Sequence, residues 1–158
     1  MPRIIVLVPD AEDAAKVAEV IAAGAENVRF TEVDVRAVST PSANRRGPRE
    51  WTGTDELRDY DGVVFATSTR EDSNAALHDA LDAAAREQPE GTFLNTVFAI
   101  GGTSDVALLA RIAALGGIVA SPPPEQSRAV GERVATVVAW VRHARSHDHA
   151  LTHGHSHP

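Results

Sequence analysis

Short apolar runs alternate along the chain with longer segments in which apolar residues recur on one helical face. Residues 3–8, Arg-Ile-Ile-Val-Leu-Val, predict a strand buried on both faces, the kind found in parallel sheets. Pro9 ends it. Asp10 then stands as an N-cap with Asp13 three positions on, a capping-box-like pair. Ala14, Val17, Ala18 and Ile21 make one helical face, and Gly24 marks the helix end. Residues 28–35 read as a second strand. Residues 36–54 form a turn-rich loop holding Pro41, Asn44, Gly47, Pro48 and Gly53, and loops of this length usually carry function. A short helical piece over 55–59 leads into a third strand, Gly62 to Ala66. Ser73 caps the next helix, which carries Leu77, Leu81, Ala84 and Ala85 inward and closes at Pro89 and Gly91.

A fourth strand follows at 96–100 and a tight turn at Gly101-Gly102. A helix spans 104–115, and a fifth strand at 117–120 is stopped by Pro122-Pro123-Pro124. The last helix runs from about Glu125 to about Arg145, with Val130, Val134, Val138 and Val141 on one face. Strands and helices alternate throughout, which predicts an α/β three-layer sandwich around a parallel sheet. Five strands at this spacing suit the doubly wound order 2-1-3-4-5.

The length of 158 residues suits one domain, here 1–145, followed by a histidine-rich tail over 146–158. A net charge of -7 disfavours nucleic acid as a partner. With no cysteine, disulfides, thiolate metal sites and cysteine nucleophiles are excluded. No apolar stretch approaches the roughly 20 residues that span a bilayer, and no signal-peptide pattern stands at the N-terminus. The expectation is a cytoplasmic protein with no membrane contact. Alanine dominates the apolar residues, which implies thin helices packed closely.

Some residues offer chemistry. Gly101-Gly102-Thr103-Ser104 turns from a strand into a helix, where successive N–H groups can form an anion-binding nest that Arg70 could join. A glycine turn with Ser104 as helix cap accounts for the same residues. Arg45, Arg46 and Arg49 make the long loop locally positive. Trp51 is the aromatic best placed to stack on a planar ligand, although packing on the domain is the commoner role. His78 receives no role. His143 and His147 share a helix face, and His149, His153, His155 and His157 follow in the tail. Imidazoles suit a divalent transition metal such as Ni, Zn or Cu, and Asp148 adds an oxygen ligand. Gly-x-Gly-x-x-Gly, Walker, nucleophile-elbow and His-Glu-x-x-His motifs are absent.

Residues 56–70, Glu-Leu-Arg-Asp-Tyr-Asp-Gly-Val-Val-Phe-Ala-Thr-Ser-Thr-Arg, resemble the third strand and following loop of the flavodoxin-like NAD(P)H:quinone oxidoreductases, the group named after the tryptophan-repressor-binding protein. The family pattern there is Leu-x-x-Tyr-Asp, an apolar strand, then Gly-Thr-Pro-Thr-Arg-Phe. Leu81-Asp82 echoes a further family pair. The resemblance implies a flavodoxin-like fold and FMN held by three loops at the carboxyl ends of the strands.

In the second of those loops Thr67, Thr69 and Arg70 match, while Ser68 replaces proline, Ala66 glycine and Glu71 phenylalanine. The third keeps Gly101, Gly102, Thr103 and Ser104 but lacks the family's long insertion. The first, which holds the phosphate, reads Pro9-Asp-Ala-Glu-Asp-Ala14, with no hydroxyl and no glycine. Asp10, Glu12 and Asp13 would cap the helix and repel a phosphate. The candidate cofactor residues are therefore Thr67, Ser68, Thr69, Arg70 and Gly101 to Ser104, with no catalytic side chain named. The expectation is a protein without tightly bound FMN, serving as a small-anion or partner-binding domain. The alternatives are an active FMN-dependent NAD(P)H:quinone oxidoreductase and a metal-handling accessory protein acting through its tail. The family's dimers and tetramers, together with the thin helices, imply a homo-oligomer.

Overall fold

Strands β1 (Arg3–Val8), β2 (Glu32–Ala37), β3 (Gly62–Ala66), β4 (Val97–Gly101) and β5 (Ile118–Val119) form one parallel sheet in the order β2-β1-β3-β4-β5. This is the expected order. The computed structural model describes residues 1–38, 48–120 and 122–153, with side chains described through 148. Pro41, Asn44, Arg45, Arg46, Gly47, His155 and His157 lie outside the described residues, as do the side chains of His149 and His153.

The pleat sorts the core into two layers. Ile4, Val6, Val8, Val64, Ala66, Val97 and Ala99 face helices α1 (Glu12–Glu26) and α4 (Ser127–His153). Ile5, Leu7, Val63, Phe65, Phe98 and Ile100 face α2 (Ala75–Glu87) and α3 (Val106–Ala114). The central strands are buried on both faces, so they read as unbroken apolar runs, whereas β2 at the edge is only partly covered. Among the described residues no helix is long and apolar enough to cross a membrane.

Several boundaries differ from expectation for identifiable reasons. Gly24 does not end α1. It sits inside the helix where α1 crosses α4, and a Cβ there would fall on the Arg128 carbonyl oxygen; a Cβ on Gly131 would fall on that of Ile21. The small residues thus serve a backbone-close crossing within the chain, which removes the link drawn from thin helices to contact between chains. The segment 28–31 is a turn before β2, with Phe30 in the left-handed region at φ 62. The N-cap of α1 is Ala11, not Asp10, because the Ala11 N–H closes a tight turn onto the Pro9 carbonyl at 2.8 Å. Ser73 caps nothing; a 3₁₀ turn over Glu71–Asn74 runs directly into α2. The cap of α3 is Asp105, not Ser104. Helix α4 does not stop near Arg145 but continues through His153, since no proline or glycine lies between Arg145 and Gly154.

Candidate functional site

In a sheet of this order the chain winds outward in both directions from the β1/β3 pair. The helices after β1 and β3 leave to opposite faces, which opens a crevice between the two strand ends, the usual ligand position in doubly wound folds. Three connections meet at this end: residues 9–11 after β1, 67–70 after β3, and 102–105 after β4.

Asp13, in the first turn of α1, reaches across that crevice. One carboxylate oxygen accepts from the Ser68 hydroxyl at 2.8 Å. The other accepts from the Thr69 backbone N–H at 2.8 Å and the Thr69 hydroxyl at 2.9 Å. The Asp13 carboxylate also takes its own helix's Ala14 N–H at 2.9 Å. The Thr69 N–H above all, then the Ser68 hydroxyl, hold its carboxyl down at about 2 from the ordinary 3.8, against the opposing effect of burial. Of the three acids in the loop, Asp13 alone is turned into the site; Asp10 and Glu12 are exposed.

The donors are held in place from behind. The Ser68 N–H donates to the Asn74 side-chain oxygen at 2.8 Å, and the Asn74 amide returns a bond to the Ser68 carbonyl at 2.9 Å. Ser68 and Asn74 are both buried. The Ser68 hydroxyl also accepts from the Arg70 N–H at 3.0 Å, while the Arg70 side chain is exposed.

Thr67 joins this loop to the next. Its hydroxyl donates to the Thr103 carbonyl and accepts the Thr103 N–H, both at 2.7 Å. The Gly102 N–H donates to the Pro124 carbonyl at 2.7 Å. Gly102 has φ 107, and a Cβ there would press on the Thr67 carbonyl oxygen, so glycine is required. The N–H groups of Gly102 and Thr103, expected to line an anion nest, are therefore directed at acceptors within the protein. Ser104 is exposed beside a cavity of about 300 Å³, whose walls include Ile100, Leu109 and Ala120, with Asp105 on its polar side.

Asp105 links α2 and α3. One oxygen caps α3 through the Leu108 N–H at 2.9 Å, and the other meets His78 Nε2 at 2.9 Å. Burial pushes the Asp105 carboxyl up, but the Leu108 N–H and His78 together outweigh it and leave it lowered. Sequence reading missed Asn74, Asp105 and His78. The run Ser104-Asp105-Val106 offers two good caps in succession, and nothing in a linear pattern pairs either with a histidine 27 positions away.

Trp51 does not stand free in the crevice: it is half-buried against the α2-side core, and its backbone N–H donates to the Ala37 carbonyl at 3.1 Å. The Arg49 carbonyl is tied to the same strand end by the Ala37 N–H at 2.8 Å. Asp82, in the Leu-Asp pair, forms an ion pair with Arg111 of α3 at 3.0 Å. Far from the crevice, His143 and His147 share an exposed face of α4, as their spacing predicts. Among the described residues no group of three or more potential metal ligands converges.

No protein-family model matches the chain, and no curated protein matches it. Solved structures do. A flavodoxin from the domain Archaea superposes with a TM-score of 0.60 at 17% identity, covering 88% of this chain and 99% of that one. A diflavin flavoprotein from Nostoc sp. gives 0.54 at 18% identity, over 93% and 97%. The Trp repressor binding protein from Bacillus subtilis also matches, at 0.48 and 11% identity over 83% and 99%, too slight a likeness to carry more than the match itself. At these identities the common property is architecture. The chain has a flavodoxin-like fold, a five-stranded parallel sheet in the order 2-1-3-4-5 with helices on both sides.

Proposed function

We propose that this chain is a flavodoxin-like domain that has lost tight FMN binding and acts by binding a small ligand or a partner at the carboxyl ends of its strands. One observation carries the reading: the Asp13 carboxylate occupies the hydrogen-bond donors at the β1/β3 crevice. A flavin phosphate is close to a dianion and needs donors and positive charge at the start of α1. The residues present do not fit it. Asp13 is ionised at any pH near neutrality, and Glu12 and Asp10 flank it with further negative charge. Displacing Asp13 would forfeit charge-assisted hydrogen bonds worth about 1.5–3 kcal/mol each. The start of α1 therefore offers a flavin phosphate repulsion in place of a seat.

The 300 Å³ cavity beside Ser104 and Asp105 supports a small ligand instead, since it lies at the lower end of the size range of ligand pockets. Partner binding on this reading includes self-association into a dimer or tetramer, which light scattering reads as a mass above 16.7 kDa.

Fluorescence titration with FMN tests the proposal. The expected result is no saturable quenching at micromolar FMN, and a gain in affinity when Asp10, Glu12 and Asp13 are replaced by Ser, Gly and Thr. Micromolar binding by the parent chain would overturn it and restore an FMN-dependent NAD(P)H:quinone oxidoreductase, which quinone-dependent NAD(P)H oxidation by the loaded protein would then establish. A metal-handling role would rest on another part of the molecule, the end of α4.

A further inference from the structure

We propose that His143 and His147 form a preorganised two-histidine clamp for a divalent transition-metal ion on the exposed end of α4. The inference is independent of the flavin reading, because α4 beyond Arg142 lies away from the crevice.

The argument is geometric. Positions i and i+4 stack on one face of a helix. Here the two rings meet edge to face with centroids 4.5 Å apart, and their Nε2 atoms approach to 3.1 Å. Both side chains are exposed, so an ion can reach them. Two imidazole nitrogens at about 2.0–2.1 Å from a shared ion and 3.1 Å apart subtend an angle of about 100° at it. That lies between the right angle of square-planar or octahedral coordination and the tetrahedral angle of about 109°, so the spacing suits Cu²⁺, Ni²⁺ and Zn²⁺ once each ring turns to aim its lone pair at the ion rather than along the line between the two nitrogens. Without metal, one Nε2–H donates to the other Nε2. Moving that proton to Nδ1 of the same ring frees both lone pairs with no change in net charge.

The surroundings permit a cation. Arg142 is drawn off to Asp61, with contacts of 3.0 and 3.1 Å. Arg145 is two positions from each histidine, which places it on the other side of the helix. The protein supplies two ligands from this face, and water completes the shell. A clamp of this kind holds one turn of helix closed, so binding should raise helicity. Trp140, 60% exposed and one turn before His143, reports on it in a Trp51→Phe background, where it is the only tryptophan.

The test uses the full chain and Cu²⁺. A variant with His149, His153, His155 and His157 all changed to Gln leaves the clamp and His78, which is paired with Asp105. It should keep one Cu²⁺ per chain at the parent's highest affinity, quench Trp140 on binding, and gain ellipticity at 222 nm. His143→Gln or His147→Gln in that background should weaken uptake roughly a hundredfold, the scale on which linking two ligands raises apparent affinity. Loss of the tight phase in the four-histidine variant would place the metal in the tail and overturn the clamp. So would unchanged uptake in either single variant, or binding without a rise in helicity.

Discussion

The carboxylate of Asp13 and the backbone N–H of Thr69 meet at 2.8 Å between the ends of β1 and β3. This contact ties the first turn of α1 to the loop that in this fold opens the ligand crevice. Asp13→Ala removes the acceptor for Ser68 and Thr69 together. Its folded carboxyl is held at about 2, below the ordinary 3.8. The stabilisation is therefore fully present above the unfolded value and is lost as pH falls through the folded one. Discounted for solvent screening at a half-buried site, it is about 1–2 kcal/mol at neutral pH. Urea unfolding of parent and variant between pH 7 and pH 3 should show a stability gap that narrows toward the acid end. A gap independent of pH would mean that Asp13 acts by packing or by its place in the helix, not by its charge.

Gly24 and Gly131 make a second prediction. Alanine inside a helix is ordinarily worth about 1 kcal/mol over glycine. Here a methyl at either position would meet the backbone carbonyl of the opposite helix, which cannot rotate away. Overpacking of this sort costs about 1–3 kcal/mol. Gly24→Ala and Gly131→Ala should therefore each lower the thermal midpoint, against their helix propensity. A rise in midpoint for either would show that α1 and α4 do not cross this closely.

The sheet order was legible because β1, β3 and β4 are unbroken apolar runs separated by helical periods, and a parallel sheet with helices on both faces follows from that pattern. The edges were less so. β2 begins four residues later than its valines suggest, since Val28 packs on the core as part of a turn. Gly24 has the spacing of a helix end and the role of a helix crossing, a distinction that only the facing Arg128 makes. The acids of the first loop pointed to a carboxylate where a phosphate loop would be, yet Asp10, Glu12 and Asp13 are alike in sequence. Only the third lies at the turn of α1 that faces Ser68. The Asn74 brace and the His78–Asp105 pair left no periodic trace, because each depends on individual side chains and not on a repeating pattern.

Asp105 has two separable roles. Removing an N-cap side chain costs about 1 kcal/mol, and asparagine caps nearly as well as aspartate. Asp105→Ala should therefore destabilise by about that amount, and Asp105→Asn by less. Because the Asp105 carboxyl is lowered in the folded protein, its ionic contribution is present above the unfolded value and fades as pH falls through the folded one. A double-mutant cycle with His78→Gln, read by urea unfolding at neutral pH, measures the coupling. Equal losses for Asn and Ala would assign the stabilisation to the charge and the histidine rather than to the cap.

Tyr60 is the only tyrosine, so phenolate absorbance at alkaline pH reads this one residue. Its hydroxyl donates to Asp34 at 2.7 Å, and its ring lies under the Arg3 guanidinium at 4.7 Å. Burial first, then the Asp34 carboxylate, push the phenol up to about 12 from the ordinary 10.0, against the opposing pull of Arg36 and Arg3. A raised folded value means that the neutral phenol contributes stability fully below the unfolded value, and that this contribution is lost as pH rises through the folded one. Spectrophotometric titration of the native protein should show no phenolate near pH 10, and unfolding in urea should bring the transition back to it. Tyr60→Phe keeps the ring but drops the hydroxyl, leaving Asp34 without this donor, and should flatten the loss of stability between pH 10 and pH 12. A native titration centred at 10 would show that the Tyr60–Asp34 bond does not persist in solution.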